Sequence, residues 1–251
     1  MTKRISRRLR ARLNISILPL LLFGMAACSK HSDSTLPAVP LPDNRDTMTL
    51  TGTVQYLALG DSYTIGTSVT EGERYPVQTA GLLRAGGINI DPPDIIATNG
   101  WTTANLVNAI SQSKFSNNYT AVSLLIGVNN QYQGRSLDEY NQEFNQLLQR
   151  AIQYAGGRAD HVFVLSVPDY SVTPFARGSD TAKIAAQIDA FNRVNKSVSD
   201  SYKVNYLDVT GESRKAGTDR TLIASDSLHF SGKEYAIWSS ALAPLIKAAL
   251  H

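Results

Sequence analysis

Histidine narrows the chemistry first, because imidazole is the side chain that changes charge nearest neutral pH and this chain has only four. His31 lies in a Ser/Asp/Thr/Pro-rich stretch, His251 is the last residue, and His161 opens a buried-looking strand. His229 remains, within Ser225-Asp226-Ser227-Leu228-His229-Phe230. An aspartate three residues before a histidine in a turn can reach the ring Nδ1–H, fixing the tautomer and stabilising the imidazolium. Loops also produce this spacing by chance, so the pair alone is a weak signal.

A nucleophile for such a base stands at the other end of the chain. Gly60-Asp61-Ser62-Tyr63-Thr64-Ile65-Gly66 places a serine directly after the apolar run Val54 to Leu59, with glycine on both sides. A strand that exits into a turn projects side chains at the carboxyl edge of a parallel sheet, where open α/β folds hold their ligands. A plain β-turn would use Gly-Asp-Ser equally well. The sequence has no Gly-x-Ser-x-Gly elbow, Walker A loop, Gly-x-Gly-x-x-Gly fingerprint or His/Cys cluster with metal spacing. Serine nucleophile chemistry is what the residues leave.

Acyl transfer also needs donors for the oxyanion. Thr98-Asn99-Gly100-Trp101 and Gly127-Val128-Asn129-Asn130 each follow an apolar run. A glycine N–H allows close approach of a ligand, and an asparagine amide offers a second donor. Read blandly, each is a Gly/Asn turn ending a strand.

The elements that must position these turns are short β-branched runs alternating with helical periods. Val54–Leu59, Asp94–Thr98, Ala121–Ile126, His161–Val167 and Val204–Val209 read as strands, the third and fourth apolar enough to be central. Leu137, Tyr140, Phe144, Leu147, Leu148 and Ala151 share a helical face, with Ser136 and Glu139 as a capping box and Gly156-Gly157 as the stop. Ile184, Ile188, Phe191 and Val198 mark a second helix. Ser231 and Glu234 box the start of a last one, with Pro244 as a kink. Such alternation predicts an α/β fold, a parallel sheet covered on both faces.

Four blocks in order resemble the SGNH hydrolases, the GDSL lipase/esterase family: Gly60 to Gly66, Asn99-Gly100, Gly127 to Asn130, and Asp226 to His229. The resemblance spans Gly52 to His251 and implies a flavodoxin-like three-layer α/β/α sandwich with a five-stranded parallel sheet. It implies Ser62 as nucleophile, His229 as base and Asp226 as its orienting partner. It assigns the oxyanion to the backbone N–H groups of Ser62 and Gly100 and the side-chain amide of Asn129. Asn130 departs from the family's usual Asp, which leaves the donor Asn129 in place but alters the hydrogen bonds available to the turn. Neither a metal nor a cofactor is implied.

Charge separates this domain from what precedes it. The 251 residues carry 24 Lys plus Arg against 21 Asp plus Glu, a formal +3 that by itself suggests an anionic partner. Six of the basic residues fall within the first 12, and residues 1–27 contain no acid; the remainder has 18 basic against 21 acidic residues, a charge of −3. Nucleic acid is therefore not an expected partner. The basic start, the apolar run Ile15–Ala27 and its small terminal residues have the form of a secretory signal peptide. The sole cysteine, Cys28, follows Met25-Ala26-Ala27, which resembles the lipobox of bacterial lipoproteins and implies lipidation of Cys28 and membrane attachment through that lipid. Residues 1–27 are thus read as a signal peptide, 28–51 as a lipid-anchored tether, and 52–251 as the hydrolase domain, exported and held at a bacterial cell envelope.

The leading expectation is a serine esterase of lipase type that cleaves carboxylic esters through an acyl-enzyme. Its rival is a non-enzymatic glycan-binding or adhesion lipoprotein that keeps the fold and uses exposed Tyr63, Trp101 and Tyr132 for stacking. Segments 68–75, 131–135 and 170–179 are expected over the site, with Tyr170, Val172 and Phe175 as apolar lining. Such lining suits a small ester, a lysophospholipid, a thioester or an acetylated glycan as substrate.

Overall fold

The computed structural model describes residues 52–113 and 118–251. The segments read as signal peptide and tether, Cys28 included, lie outside the described residues. Five strands form one wholly parallel sheet: β1 (Tyr56–Gly60), β2 (Asp94–Ala97), β3 (Ala121–Leu125), β4 (Val162–Leu165) and β5 (Asn205–Leu207). Their order is β2-β1-β3-β4-β5. Each strand is shorter than its apolar run, because the flanking residues serve other contacts: Val54 makes only an isolated bridge to Ile90, and the Val167 N–H turns to Asn192 Oδ1 at 2.7 Å.

Side chains alternate along a strand, so a sheet buried on both faces needs apolar residues at every position. In β1, Tyr56 and Ala58 join a core with Tyr75 and Leu83 of α2 (Tyr75–Ala85) and Tyr235, Trp238 and Leu242 of α8 (Gly232–Ala249). Leu57 and Leu59 face the other way. They meet Leu106 of α3 (Thr103–Gln112), Phe144 and Leu147 of α5 (Leu137–Tyr154), and Phe191 of α6 (Thr181–Tyr202). This is the expected three-layer α/β/α sandwich. Leu57 and Leu59 are fully buried, and truncating either to Ala would cost roughly 2–5 kcal/mol.

Both expected capping boxes are half-formed. Ser136 accepts the Glu139 N–H at 3.1 Å, but Glu139 itself pairs with Arg135 at 3.0 Å. At α8, Ser231 Oγ accepts from the Glu234 N–H at 3.5 Å, whereas the Glu234 side chain turns inward and takes the Trp238 Nε1–H at 2.7 Å. A buried indole N–H needs an acceptor, and that need outweighs the cap. The helix passes through Pro244 and continues to Ala249.

From β1 the chain goes outward to β2 on one side and then to β3 on the other. Turns after β1, β2 and β3 therefore open at the same carboxyl edge, around the point where strand order reverses.

Candidate active site

At the end of β1, a Cβ on Gly60 would sit 2.0 Å from Thr64 Oγ1 and 2.5 Å from the Leu125 carbonyl, so only glycine fits. Asp61 then caps α1 (Ser62–Ile65), its Oδ1 accepting the Tyr63 N–H at 3.1 Å. Ser62 becomes the first helical residue. The second Asp61 oxygen, Oδ2, is buried without a partner, and burial pushes this carboxyl up to about 7 against the pull of the Tyr63 hydrogen bond.

The turn at 223–230 faces it. Ile223 and Phe230 bridge antiparallel, the Ala224 N–H donates to the His229 carbonyl at 2.8 Å, and Ser227 adopts the left-handed φ of 67°. Folded back inside this turn, Asp226 Oδ1 accepts the N–H groups of Leu228 and His229, each at 2.9 Å. Its Oδ2 lies 2.5 Å from His229 Nδ1 and accepts the Ser68 hydroxyl at 2.6 Å. Partial burial raises the Asp226 carboxyl, but the bonds from Ser68, from the His229 ring and from the two N–H groups outweigh it and hold it down at about 2. Beside an ionised carboxylate, Nδ1 carries the ring proton and Nε2 is left as the acceptor. The Tyr63 ring stands edge-on to the imidazole, centroids 5.6 Å apart.

Ser62, His229 and Asn129 line one cleft of about 210 Å³. Asn129 Nδ2 donates to the Trp101 carbonyl at 2.9 Å, which uses one of its two hydrogens and fixes the amide. Gly100 lies in the turn after β2 with a left-handed φ of 81°, beside the cleft-lining Asn99. The departure at Asn130 has a visible counterpart. This fully buried residue accepts the Thr103 N–H at 3.0 Å and donates through Nδ2 to Thr103 Oγ1 at 2.6 Å, while that hydroxyl donates onward to Glu143. Asn130 thereby ties the turn after β3 to the start of α3, just past Gly100.

Apolar groups close the rest of the cleft. Tyr132, Tyr170 and Phe175 form a triangle of rings with centroids 6.2–6.3 Å apart. Tyr132 is 61% exposed and Phe175 46%, whereas Tyr170 is buried. The Phe175 N–H donates to the Ser227 carbonyl at 3.0 Å, joining this rim to the Asp226 turn. None of the lining residues is Lys, Arg, Asp or Glu.

Some expectations need correction. Tyr63 is buried at 2% exposure, because its ring packs against His229, Phe230 and Trp238, and Trp101 is half-buried against the core. Of the three aromatics offered as an exposed stacking surface, only Tyr132 is open. Val172 packs on the core rather than lining the cleft. Segment 68–75 contributes no lining residue; it acts through Ser68, which lies 158 residues from Asp226 and has no signal in local spacing. His161 is buried, with Nδ1 2.6 Å from the Thr120 carbonyl, at the opposite end of the strands from the carboxyl edge that holds Ser62. Among the described residues, no group of His, Cys, Asp and Glu could hold a metal ion, and no helix is long and apolar enough to cross a membrane.

Comparison with known proteins adds an independent observation. The model of the GDSL-like Lipase/Acylhydrolase family matches residues 58–237. No curated protein matches by sequence. Among solved structures, a lipase/acylhydrolase from Enterococcus faecalis is similar with TM-score 0.62 and 16% identity, covering 78% of this chain and 96% of that one. An acetylxylan esterase from Geobacillus stearothermophilus gives 0.59 and 19%, covering 78% and 95%. The psychrotrophic esterase EstA from Pseudoalteromonas sp. gives 0.57 and 16%, covering 78% and 98%. At these identities the likeness speaks for the fold.

Proposed function

The chain belongs to the GDSL-like lipase/acylhydrolase family, and from that premise we propose that it is a serine esterase that hydrolyses short-acyl carboxylic esters through an acyl-enzyme. The observation that carries this reading is one small cleft holding Ser62, Asn129 and a His229 whose Nδ1 is 2.5 Å from an ionised Asp226.

In this reading Ser62 Oγ bonds to the ester carbonyl carbon as its proton passes to His229 Nε2, and the carbonyl π pair moves onto oxygen. The N–H groups of Ser62 and Gly100 and the free Asn129 amide hydrogen meet that oxyanion; one such donor is worth roughly a hundred- to a thousandfold in rate. Collapse breaks the ester C–O bond, and His229 gives its proton to the departing alkoxide. Water then repeats the sequence on the acyl-enzyme, losing a proton to His229 and releasing the acid and Ser62. Asp226 orients the imidazole and stabilises its cation without taking the proton. A cleft of about 210 Å³ supports a short acyl group, and its lack of fixed charge supports an uncharged ester neighbourhood. Small esters and acetylated glycans fit this better than lysophospholipids or thioesters of charged carriers.

We extend the reading to location: cleavage before Cys28 and its lipidation would tether residues 52–251 to a bacterial envelope membrane, residues 28–51 being the spacer. A fluorophosphonate probe should label Ser62 in the wild type and not in Ser62→Ala, and His229→Ala should abolish turnover of p-nitrophenyl acetate. A folded wild type that neither reacts with the probe nor turns over the ester sinks the proposal.

A further inference from the structure

Asp226 is held by more than its histidine. Its side chain is 28% exposed against 8% for His229, and on the oxygen shared with Nδ1 it accepts the Ser68 hydroxyl at 2.6 Å. Ser68 makes that bond from a left-handed backbone, φ 66°, that a non-glycine residue rarely adopts. A short polar residue kept in a strained conformation, with its hydroxyl on a catalytic-site carboxylate, gives up conformational energy to make that contact.

We propose that Ser68 is a fourth, positioning member of the Ser62–His229–Asp226 system, whose hydroxyl draws charge from Asp226 Oδ2 and so keeps His229 unprotonated, and competent as base, to lower pH. The inference rests on the esterase reading above. Both donors use one oxygen, while Oδ1 is saturated by the N–H groups of Leu228 and His229. Removing Ser68 therefore leaves Asp226 in place on three bonds. The negative charge it concentrates on Oδ2 then favours the imidazolium more strongly. The other titratable groups around this pair are the phenols of Tyr63 of α1, Tyr235 of α8, and Tyr132 and Tyr170 across the cleft, and the carboxyls of Asp61 and Asp169, which act with Asp226 on the Tyr63 ring and are the same in every variant compared. Among the described residues no Lys or Arg pairs with Asp226, and the Ser68 hydroxyl is the one side-chain donor on its carboxylate besides the His229 ring.

The test separates hydroxyl from backbone. Ser68→Gly removes the hydroxyl and relieves the φ, Ser68→Ala removes it and keeps the strain, and Ser68→Thr keeps it and adds strain. The acid limb of kcat/KM for p-nitrophenyl acetate, and the titration of the His229 ring by NMR in the free enzyme, should both move up by roughly half to one pH unit in the Gly and Ala variants. The Thr variant should titrate like wild type even if it melts lower. Limbs that coincide in all four proteins, that move down, or that follow strain rather than the hydroxyl overturn the proposal. A wild type without esterase activity instead refutes the esterase reading, and the NMR titration still decides the role of Ser68.

Discussion

The two walls of the cleft are built on opposite principles. On the wall of Ser62, Asn129 and His229, polar side chains are held by hydrogen bonds with the backbone: Asp61 accepts the Tyr63 N–H and caps Ser62's helix, Asn129 donates to the Trp101 carbonyl, and Asp226 is clamped within its own turn. On the wall of Tyr132, Tyr170 and Phe175, rings rest on one another, and two of the three stand half open on elements of only three to five residues. The first wall is over-determined, as chemistry requires, since a displacement of about 1 Å at a reacting group can cost a hundredfold in rate. The second can vary without disturbing the first. Changes on the polar wall should therefore act on kcat, and changes on the aromatic wall on substrate choice.

The harshest trial of this contrast is Asn130→Asp, which restores the residue usual in the family. Thr103 Oγ1 has one hydrogen, given to Glu143, and receives another from Asn130 Nδ2. An aspartate has no hydrogen to give, so two carboxylates would converge on one hydroxyl in a buried site. Asn130 and Glu143 are thus a matched pair. We expect kcat to fall roughly ten- to a hundredfold, about 1.4–2.7 kcal/mol, with little change in KM. Adding Glu143→Gln should recover most of it. Full activity of the single variant at pH 8 would show that the polar wall tolerates more than its bonding suggests.

Much of the polar wall is legible in the sequence because its members sit in turns that directly follow strands. Apolar runs locate the strands, and parallel connectivity brings the turns to one edge, which is why Ser62 and Asn129 can be placed together. The limits are equally physical. Ser68 meets Asp226, and Thr103 meets Glu143, across 158 and 40 residues, and no period or local spacing encodes such contacts. Tyr63 reads as exposed because a motif turn usually is, yet the short α1 rolls its ring into Phe230 and Trp238. The helix α2 carries no clear signal: its Pro76 and Gly81 interrupt the period, and packing on α8 supplies its stability. Glu234 reads as a cap because the Ser-x-x-Glu pattern is local, whereas its true partner, the Trp238 indole, is a demand of the core.

A second trial concerns stability on the polar wall. With Oδ2 buried and unpartnered, Asp61 is protonated more readily in the folded chain, near 7, than in the unfolded one, near 3.8. A raised folded value stabilises fully below the unfolded pKa, and the benefit is lost as pH rises through the folded one. Asn at 61 keeps the acceptor for the Tyr63 N–H and does not ionise. The melting temperature of Asp61→Asn minus that of wild type should therefore climb between about pH 4 and 7 and level off above, by the equivalent of up to a few kcal/mol. A difference independent of pH would mean that Asp61 is solvated or paired in solution.

The smallest effects should come from the aromatic wall, and they define its role. Tyr132 and Phe175 offer two half-exposed faces in the cleft that Ser62 lines, and an aromatic contact contributes about 0.5–1.5 kcal/mol beyond area. Tyr132→Ala and Phe175→Ala should each lower kcat/KM a few-fold, to about tenfold at most, with the loss in KM and the melting temperature nearly unchanged. The loss should depend on the alcohol. An acetyl ester of a ring-bearing alcohol, such as an acetylated glycoside, should suffer more than ethyl acetate, whose leaving group is too small to reach both rings. Equal losses on both esters would place the acyl group against the triangle instead, and a loss confined to kcat would mean that the aromatic wall helps to hold His229 through the Phe175–Ser227 hydrogen bond. Because that bond is made by backbone, side-chain truncation leaves it available. We therefore expect the two walls to separate, with the acid limb of the rate profile unmoved in either rim variant.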